Sequence, residues 1–189
     1  STGGFSTRTG SIGAFNSPLI EFIVITFMIF GGISFVLHYR LWVERSPRQF
    51  FADFELRYFL TLLVMGTAIV AGSLLWNDDY ITSEAIRGAL FQVTSIATGT
   101  GYVTGNYELW HPLAQLLLLA LMFHGGCTGS TTGGMKASRV LLMGKIVDRE
   151  FKRMVEPRGI FSVRMGGSVV PEGTIQSLLS LVYLAFAVN

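Results

Sequence analysis

Apolar and polar positions fall into long blocks along this chain rather than alternating singly. The stretches 19–37 and 58–76 are almost wholly apolar, 111–123 opens a third such block, and 175–188 forms a fourth. Blocks near 20 residues are long enough to cross the hydrocarbon core of a bilayer as helices. The first block contains Gly31-Gly32, a pair that permits either a hinge or close helix packing. Glu21, at the start of that block, is expected to reach headgroup water at the interface. Between the blocks, 38–57 is polar, 77–80 is the acidic exit N-D-D-Y, and 83–95 is only moderately apolar and too short to cross. That last segment has the pattern of a re-entrant pore helix. Its C-terminal end, negative by its dipole, runs into a Gly/Thr stretch and would favour a cation there.

That stretch, T-S-I-A-T-G-T-G-Y-V-T at 94–104, organises the rest. Thr98, Gly99, Thr100, Gly101 and Tyr102 have the composition of a potassium-type filter, in which extended backbone turns its carbonyls inward to replace an ion's water shell. Glycine allows the dihedrals this needs, threonine adds a hydroxyl oxygen at the mouth, and the aromatic ring can wedge the strand from behind. Non-helical backbone at membrane depth is tolerated where it is buried in protein or lines water, as a filter does. The N-terminal S-T-G-G-F-S-T repeats this pattern 97 residues earlier: Gly4 falls on Gly101, Phe5 on Tyr102 and Thr7 on Thr104. Each copy is followed by a polar link, a proline (Pro18, Pro112) suited to a helix start, and an apolar helix. A repeat of this length points to duplication.

The third apolar block is interrupted by H-G-G-C-T-G-S-T-T-G-G-M-K. Positions 125–134 hold five glycines and four Ser/Thr residues. At about 1 kcal/mol per glycine relative to alanine, a helix should break here. A phosphate-cradling loop is excluded, because Gly134 is followed by Met135, Lys136 and Ala137 rather than by Lys-Ser/Thr, and no strand precedes it. A small polar loop able to occlude a pore suits the context; a plain kink with helix packing is the other reading. Lys136 either holds the closed state electrostatically or snorkels to the interface.

Composition supports the membrane class. Of 189 residues, 50% are hydrophobic and only 14% charged, and mean hydropathy is +0.52. Ordinary soluble domains carry about 25% charged residues. The formal net charge of +2 does not suggest nucleic acid, and the single Cys127 excludes an internal disulfide. The chain opens on S-T-G-G-F without a leader pattern and stops within an apolar run, so it is expected to be a fragment cut at both ends. Arg40, Arg45, Arg48 and Arg57 mark the first polar link, and eight Lys/Arg lie between 136 and 172, against Arg87 alone between 76 and 112. The positive-inside rule then puts the basic links in the cytosol and both filter loops outside. The basic stretch is either a docking surface or ordinary positive-inside charge.

These motifs, with P-R-G-I-F-S-V-R-M-G-G at 157–167, resemble the TrkH/KtrB family of potassium transporters, and the last of them is closer to TrkH. The resemblance covers essentially the whole chain. It implies an all-α polytopic membrane protein of helix, re-entrant pore loop and helix repeats, four per complete chain around a central pathway. On that basis, 1–40 ends the second repeat, 41–57 is a cytosolic loop, 58–152 is the third repeat, 153–171 a cytosolic link and 172–189 the start of the fourth. The resemblance implies filter roles for Thr2, Gly3, Gly4, Thr98, Gly99, Thr100 and Gly101. It implies a gate loop of Gly125, Gly126, Thr128, Gly129, Ser130, Thr131, Thr132, Gly133 and Gly134, with Lys136 beneath it. The expected activity is passive or coupled (symport) permeation of K+, with no covalently bound cofactor and no catalysis. The expected partners are the lipid bilayer, a second copy in a homodimer and a cytosolic nucleotide-binding subunit of the TrkA type, in a bacterial inner membrane. Other readings are a different cation transporter such as one for Na+, a membrane scaffold, or an intramembrane enzyme, for which His124 beside Ser130 is the sole candidate pair.

Overall fold

A proline or an aspartate opens each of the main apolar helices in the computed structural model, which describes residues 3–76, 82–156, 159, 161–165 and 168–187. Thr2, the acidic exit at 77–80, Arg158 and the end of the last apolar run at Val188 lie outside the described residues. Helix α1 (Pro18–Gly32) has Pro18 in its first turn, where the missing N–H leaves nothing unpaired. It is followed by α2 (Phe35–Trp42) and α3 (Pro47–Ala52). Helix α4 (Phe54–Leu75) is capped by Asp53, whose Oδ1 accepts the amides of Glu55 at 2.9 Å and Leu56 at 3.0 Å. Helix α5 (Thr82–Ala97) is the short amphipathic segment expected before the filter. Helix α6 (Pro112–Met122) again begins on proline, and α7 (Ala137–Val155) is the basic helix beyond the break. Strands β1 (Arg164–Met165) and β2 (Ser168–Val169) pair antiparallel, Arg164 opposite Val169, ahead of α8 (Glu172–Ala187).

Two compact units divide at Ala137, inside the segment expected as the third repeat. In the first, residues 1–137, α4 and α5 pack together with α1 and α6 beside them. Its core joins Leu56, Phe59, Leu63, Val70 and Leu74 of α4 to Ala85, Ala89, Val93 and Ala97 of α5. Alanines on α5 allow close approach, as expected where apolar solvent removes the usual drive for helix association. The pattern of exposure is inverted relative to a water-soluble bundle. Gln92, Thr94, Ser95, Thr98 and Thr100 are buried, while Leu19, Phe22, Phe27, Val64, Met65 and Leu116 face outward. Such an apolar exterior suits lipid or further membrane helices. In the second unit, residues 138–189, Leu142 and Ile146 of α7 pack on Val163 and on Ile175 and Leu178 of α8.

Two expectations are corrected. The block 19–37 is not one helix: α1 stops at Gly32 and α2 leaves at a bend of 101°. Gly32 is the last residue of the helix, and a Cβ there would lie 2.6 Å from the Phe59 ring. Of the described helices, Phe54–Leu75 is the one long and apolar enough to span alone, the bent pair being the second candidate. Glu21 does not reach outward. It is buried, and its Oε2 lies 3.1 Å from Nε of Arg87 on α5.

Candidate functional site: a filter segment pair and a docked loop

At the C-terminal end of α5 the backbone folds back on itself. Amides of Thr98 and Gly99 bond to the carbonyls of Thr94 (3.0 Å) and Ile96 (2.9 Å), and that of Thr100 bonds to Ser95 (2.8 Å). The Ser95 hydroxyl then donates to the Tyr102 carbonyl at 2.7 Å, pinning the chain as it leaves. Gly99 and Gly101 adopt φ of +63° and +77°, the left-handed region that glycine enters without a Cβ penalty. Gly4 does the same at +66°, so the matching glycines of the sequence repeat share a positive φ.

The two repeat segments lie side by side. The amide of Gly3 donates to the Thr100 carbonyl at 3.1 Å, and Gly13 donates to Val103 at 3.1 Å. Val103 in turn donates to the Ser11 hydroxyl at 3.2 Å. A Cβ on Gly4 would meet the Gly101 carbonyl oxygen at 3.0 Å. Among the described residues, the carbonyls of Gly4, Gly99 and Gly101 accept no hydrogen bond. They remain available to an external partner. The threonine hydroxyls differ from expectation. Thr98 is 1% exposed; its Oγ1 donates to the Thr94 carbonyl at 2.8 Å and lies 2.8 Å from Oγ1 of Thr100. Both hydroxyls brace the turn from inside. Tyr102 packs behind the segment against Ile25, Met28 and Phe91, whereas its repeat partner Phe5 is exposed.

The Gly-rich break is a structured loop. Its base is closed by Gly125 N–H to Met135 O at 2.9 Å and Met135 N–H to Phe123 O at 3.2 Å. The Thr132 hydroxyl accepts the Gly126 amide at 2.8 Å and lies 2.7 Å from the Ser130 hydroxyl. Helix α6, at eleven residues, extends only ~16 Å. An apolar helix of that length covers only about half of a hydrocarbon core of about 30 Å. It docks onto the truncated end of α1. Cys127 N–H donates to Gly32 O at 2.9 Å, and Thr131 donates its amide (3.2 Å) and hydroxyl (3.1 Å) to Gly31 O. Gly129 O accepts the Phe35 amide at 3.0 Å. A Cβ on Gly126 would collide with the Gly32 carbonyl, so only glycine permits this approach.

This loop adjoins the turn at 98–101. The Gly133 nitrogen is 3.8 Å from the place a Cβ on Gly99 would occupy. An open cleft of about 360 Å3 is lined by Thr100 and Tyr102, by Met28 and Gly31 of α1, and by Thr131 of the loop. Lys136 does not snorkel away. Its ammonium turns back into the loop, onto the Thr132 carbonyl, the Ser130 carbonyl at 3.3 Å, the Thr132 hydroxyl at 3.3 Å and the Ser130 hydroxyl at 3.4 Å. The enzyme pair is not assembled, since His124 Nε2 bonds to the Tyr58 hydroxyl at 2.8 Å and Ser130 bonds to Thr132.

The chain as a whole is similar to known membrane transporters. The family model described as TrkH, cation transport protein, matches residues 1–189. The chain belongs to the TrkH family. It is 40% identical over 177 residues to the Trk system potassium uptake protein TrkH of Halomonas elongata, covering 93% of this chain and 36% of that protein. To TrkH of Escherichia coli K12 it is 38% identical over 182 residues, covering 93% and 37%. The crystal structure of the potassium transporter TrkH from Vibrio parahaemolyticus superposes with a TM-score of 0.92 at 34% identity, over 99% of this chain and 40% of that one. The chain thus spans well under half the length of these TrkH proteins, and its helical architecture is that of a multi-pass membrane protein.

Several supporting residues of this TrkH-family chain escaped the sequence. Glu55, in the first turn of α4, accepts the Thr128 amide at 2.7 Å through Oε2. Ser34 neighbours Gly129, its hydroxyl 3.3 Å from the position of a Cβ there. His38 donates from Nε2 to the Phe30 carbonyl at 3.0 Å. No spacing rule marks these residues; each meets its partner only across the fold.

Proposed function

We propose that the parent protein moves K+ across a bacterial inner membrane through a pathway partly lined by this chain, and that it is a transporter and not an enzyme. The observation that carries the reading is the pairing of Gly4 with Gly101. Two segments 97 residues apart, both left-handed at their glycines, stand adjacent with the carbonyls of Gly4, Gly99 and Gly101 unpaired among the described residues. A ring of such carbonyls replaces the water shell of a monovalent cation. The relatives' names, Trk system potassium uptake proteins, favour K+ over Na+ as the transported ion.

In this reading Gly3, Gly4, Thr98, Gly99, Thr100 and Gly101 form half of the filter, with Thr2 completing the first segment. The hydroxyls of Thr98 and Thr100 hold the backbone in shape. The 125–134 loop blocks the path beside Gly99, and Lys136 keeps it folded. The filter loops face outside and the basic links face the cytosol, where a nucleotide-binding subunit of the TrkA type biases the loop. The assembly is a homodimer.

The test is growth of K+-uptake-deficient bacteria on low potassium, expressing the complete parent chain as wild type or Gly101→Asp, with the cytosolic subunit supplied. At Gly101 a Cβ would meet the Gly4 Cα at 3.6 Å with φ at +77°, and a carboxylate would intrude on the carbonyls. Rescue by wild type and its loss in the variant, at equal membrane levels, is expected. Equal rescue and equal K+ selectivity would overturn the filter assignment.

A further inference from the structure

The second compact unit carries a cavity lined by none of the residues assigned above to the filter or the gate loop. It measures about 330 Å3 and is lined by Lys145, Asp148, Arg149, Lys152, Ser162 and Arg164 among others. Four cations and one carboxylate therefore face one concavity. On α7 the positions 145, 149 and 152 fall on one face by helical spacing. Arg164 comes from β1, and the Lys145 ammonium donates to the Arg164 carbonyl at 2.5 Å, locking that wall to the helix. The Arg149 side chain is only 10% exposed and is held by Glu150 at 3.0 Å. Lys152 is tied to Asp148 at 2.7 Å. Among the described residues neither Lys145 nor Arg164 has a carboxylate partner, so the positive excess in the cavity is theirs.

Ordinary positive-inside charge needs no such convergence; it is satisfied by residues scattered along a link. Here α7 and the segment 162–164 bring basic residues and Ser162 around one cavity. Guanidinium is matched to phosphate oxygens by its planar fork, and lysine adds a compact charge. The cavity also adjoins the apolar cluster of its unit through Val163. Leu142 and Ile146, on the turns just before it, pack on Ile175 and Leu178 in the first turns of the apolar α8. On the other side of α7, Val147, Phe151 and Met154 are exposed, which gives a helix with apolar side chains beside a basic cluster. Basic pockets where apolar helices begin are placed for lipid headgroups.

We propose that this pocket binds a phosphate group, with the phosphodiester of an anionic phospholipid as the source that the adjoining start of the apolar α8 favours and a soluble phosphate compound as the other. The proposal is independent of the ion pathway. The test uses the complete parent chain in detergent, with native mass spectrometry of phosphatidylglycerol against phosphatidylcholine, and calorimetry with ATP and inorganic phosphate. Phosphatidylglycerol should bind in preference, and Lys145→Gln with Arg164→Gln should weaken it roughly thirtyfold, about fivefold for each cation lost. If ATP or phosphate binds instead and is lost in the same variant, the pocket stands with a soluble ligand. The swap Lys145→Arg with Arg164→Lys keeps the charge and should keep binding. Should the double variant not fold, Arg164→Gln alone, at an exposed position, should still lose about fivefold. No preference for phosphatidylglycerol together with no phosphate or ATP binding overturns the proposal. So does binding undiminished in the glutamine variants, or lost equally in the charge-preserving swap.

Discussion

The carbonyl of Gly32 accepts the amide of Cys127 at 2.9 Å, so the broken end of one helix is capped by the loop that breaks another. A helix leaves its last carbonyls without intrahelical donors. Here Phe30 O receives Ile33 and His38, Gly31 O receives Thr131, and Gly32 O receives Cys127. The two interruptions satisfy each other. A displacement of α1 must therefore strip donors from its end or carry the loop along, which couples helix position to the state of the loop.

Tight packing at this junction predicts that Gly32→Ala lowers stability. Its Cβ would sit 2.6 Å from Cζ of Phe59 and 3.3 Å from the Thr98 methyl. Overpacking of this kind costs about 1–3 kcal/mol. Thermal unfolding of the parent chain in detergent should show a lower midpoint for Gly32→Ala. Gly72→Ala, with nothing within 4 Å of its new Cβ, should hold or raise it. Equal midpoints for wild type and Gly32→Ala would contradict the packing.

Lys136 acts on the loop through its oxygens, so Lys136→Met should loosen it while keeping the apolar stem. Hydrogen bonds to a charged group contribute about 1.5–3 kcal/mol, enough to shift a closed-to-open ratio roughly tenfold or more. Basal K+ flux into proteoliposomes, measured without the cytosolic subunit, should rise accordingly. A flux equal to wild type would remove Lys136 as a latch.

Deletion of 128–133 tests the loop itself. It removes the donors of Thr128 and Thr131 and the acceptor of Gly129, which together bind the loop to Glu55, Gly31 and Phe35. Flux in the same proteoliposomes should rise above that of Lys136→Met. A folded deletion variant conducting at the wild-type level would show that the loop is not the barrier.

The Glu21–Arg87 pair predicts an asymmetry. Glu21 is 8% exposed and Arg87 39% exposed. Arg87→Gln strands a buried carboxylate, whereas Glu21→Gln leaves a guanidinium that can hydrate. Removing one partner of a fully buried pair costs about 3–5 kcal/mol, and the half-exposed arginine places this pair below that range. Denaturation of both variants should rank Arg87→Gln as the less stable. The reverse order would mean that the arginine, and not the glutamate, is the desolvated member.

Much of this protein was written locally. Pro18 and Pro112 begin helices because a missing N–H is harmless there, and 125–134 breaks a helix because glycine raises the free energy of helical backbone. The 97-residue repeat announced the shared left-handed turn at Gly4 and Gly101. These features depend on a residue and its near neighbours, so composition and spacing suffice. The 101° bend after Gly32, the burial of Glu21 against Arg87, the inward hydroxyls of Thr98 and Thr100 and the Glu55–Thr128 bond did not follow from any local pattern. Each depends on which distant group arrives within about 3 Å, as a donor, an acceptor or a clash. Sequence alone determined that the chain leaves the helix at 125–134 and which residues carry flexible backbone; tertiary structure decided the break at Gly32 and what both breaks hold, because an unpaired carbonyl at a helix end is filled by whatever the packing brings to it.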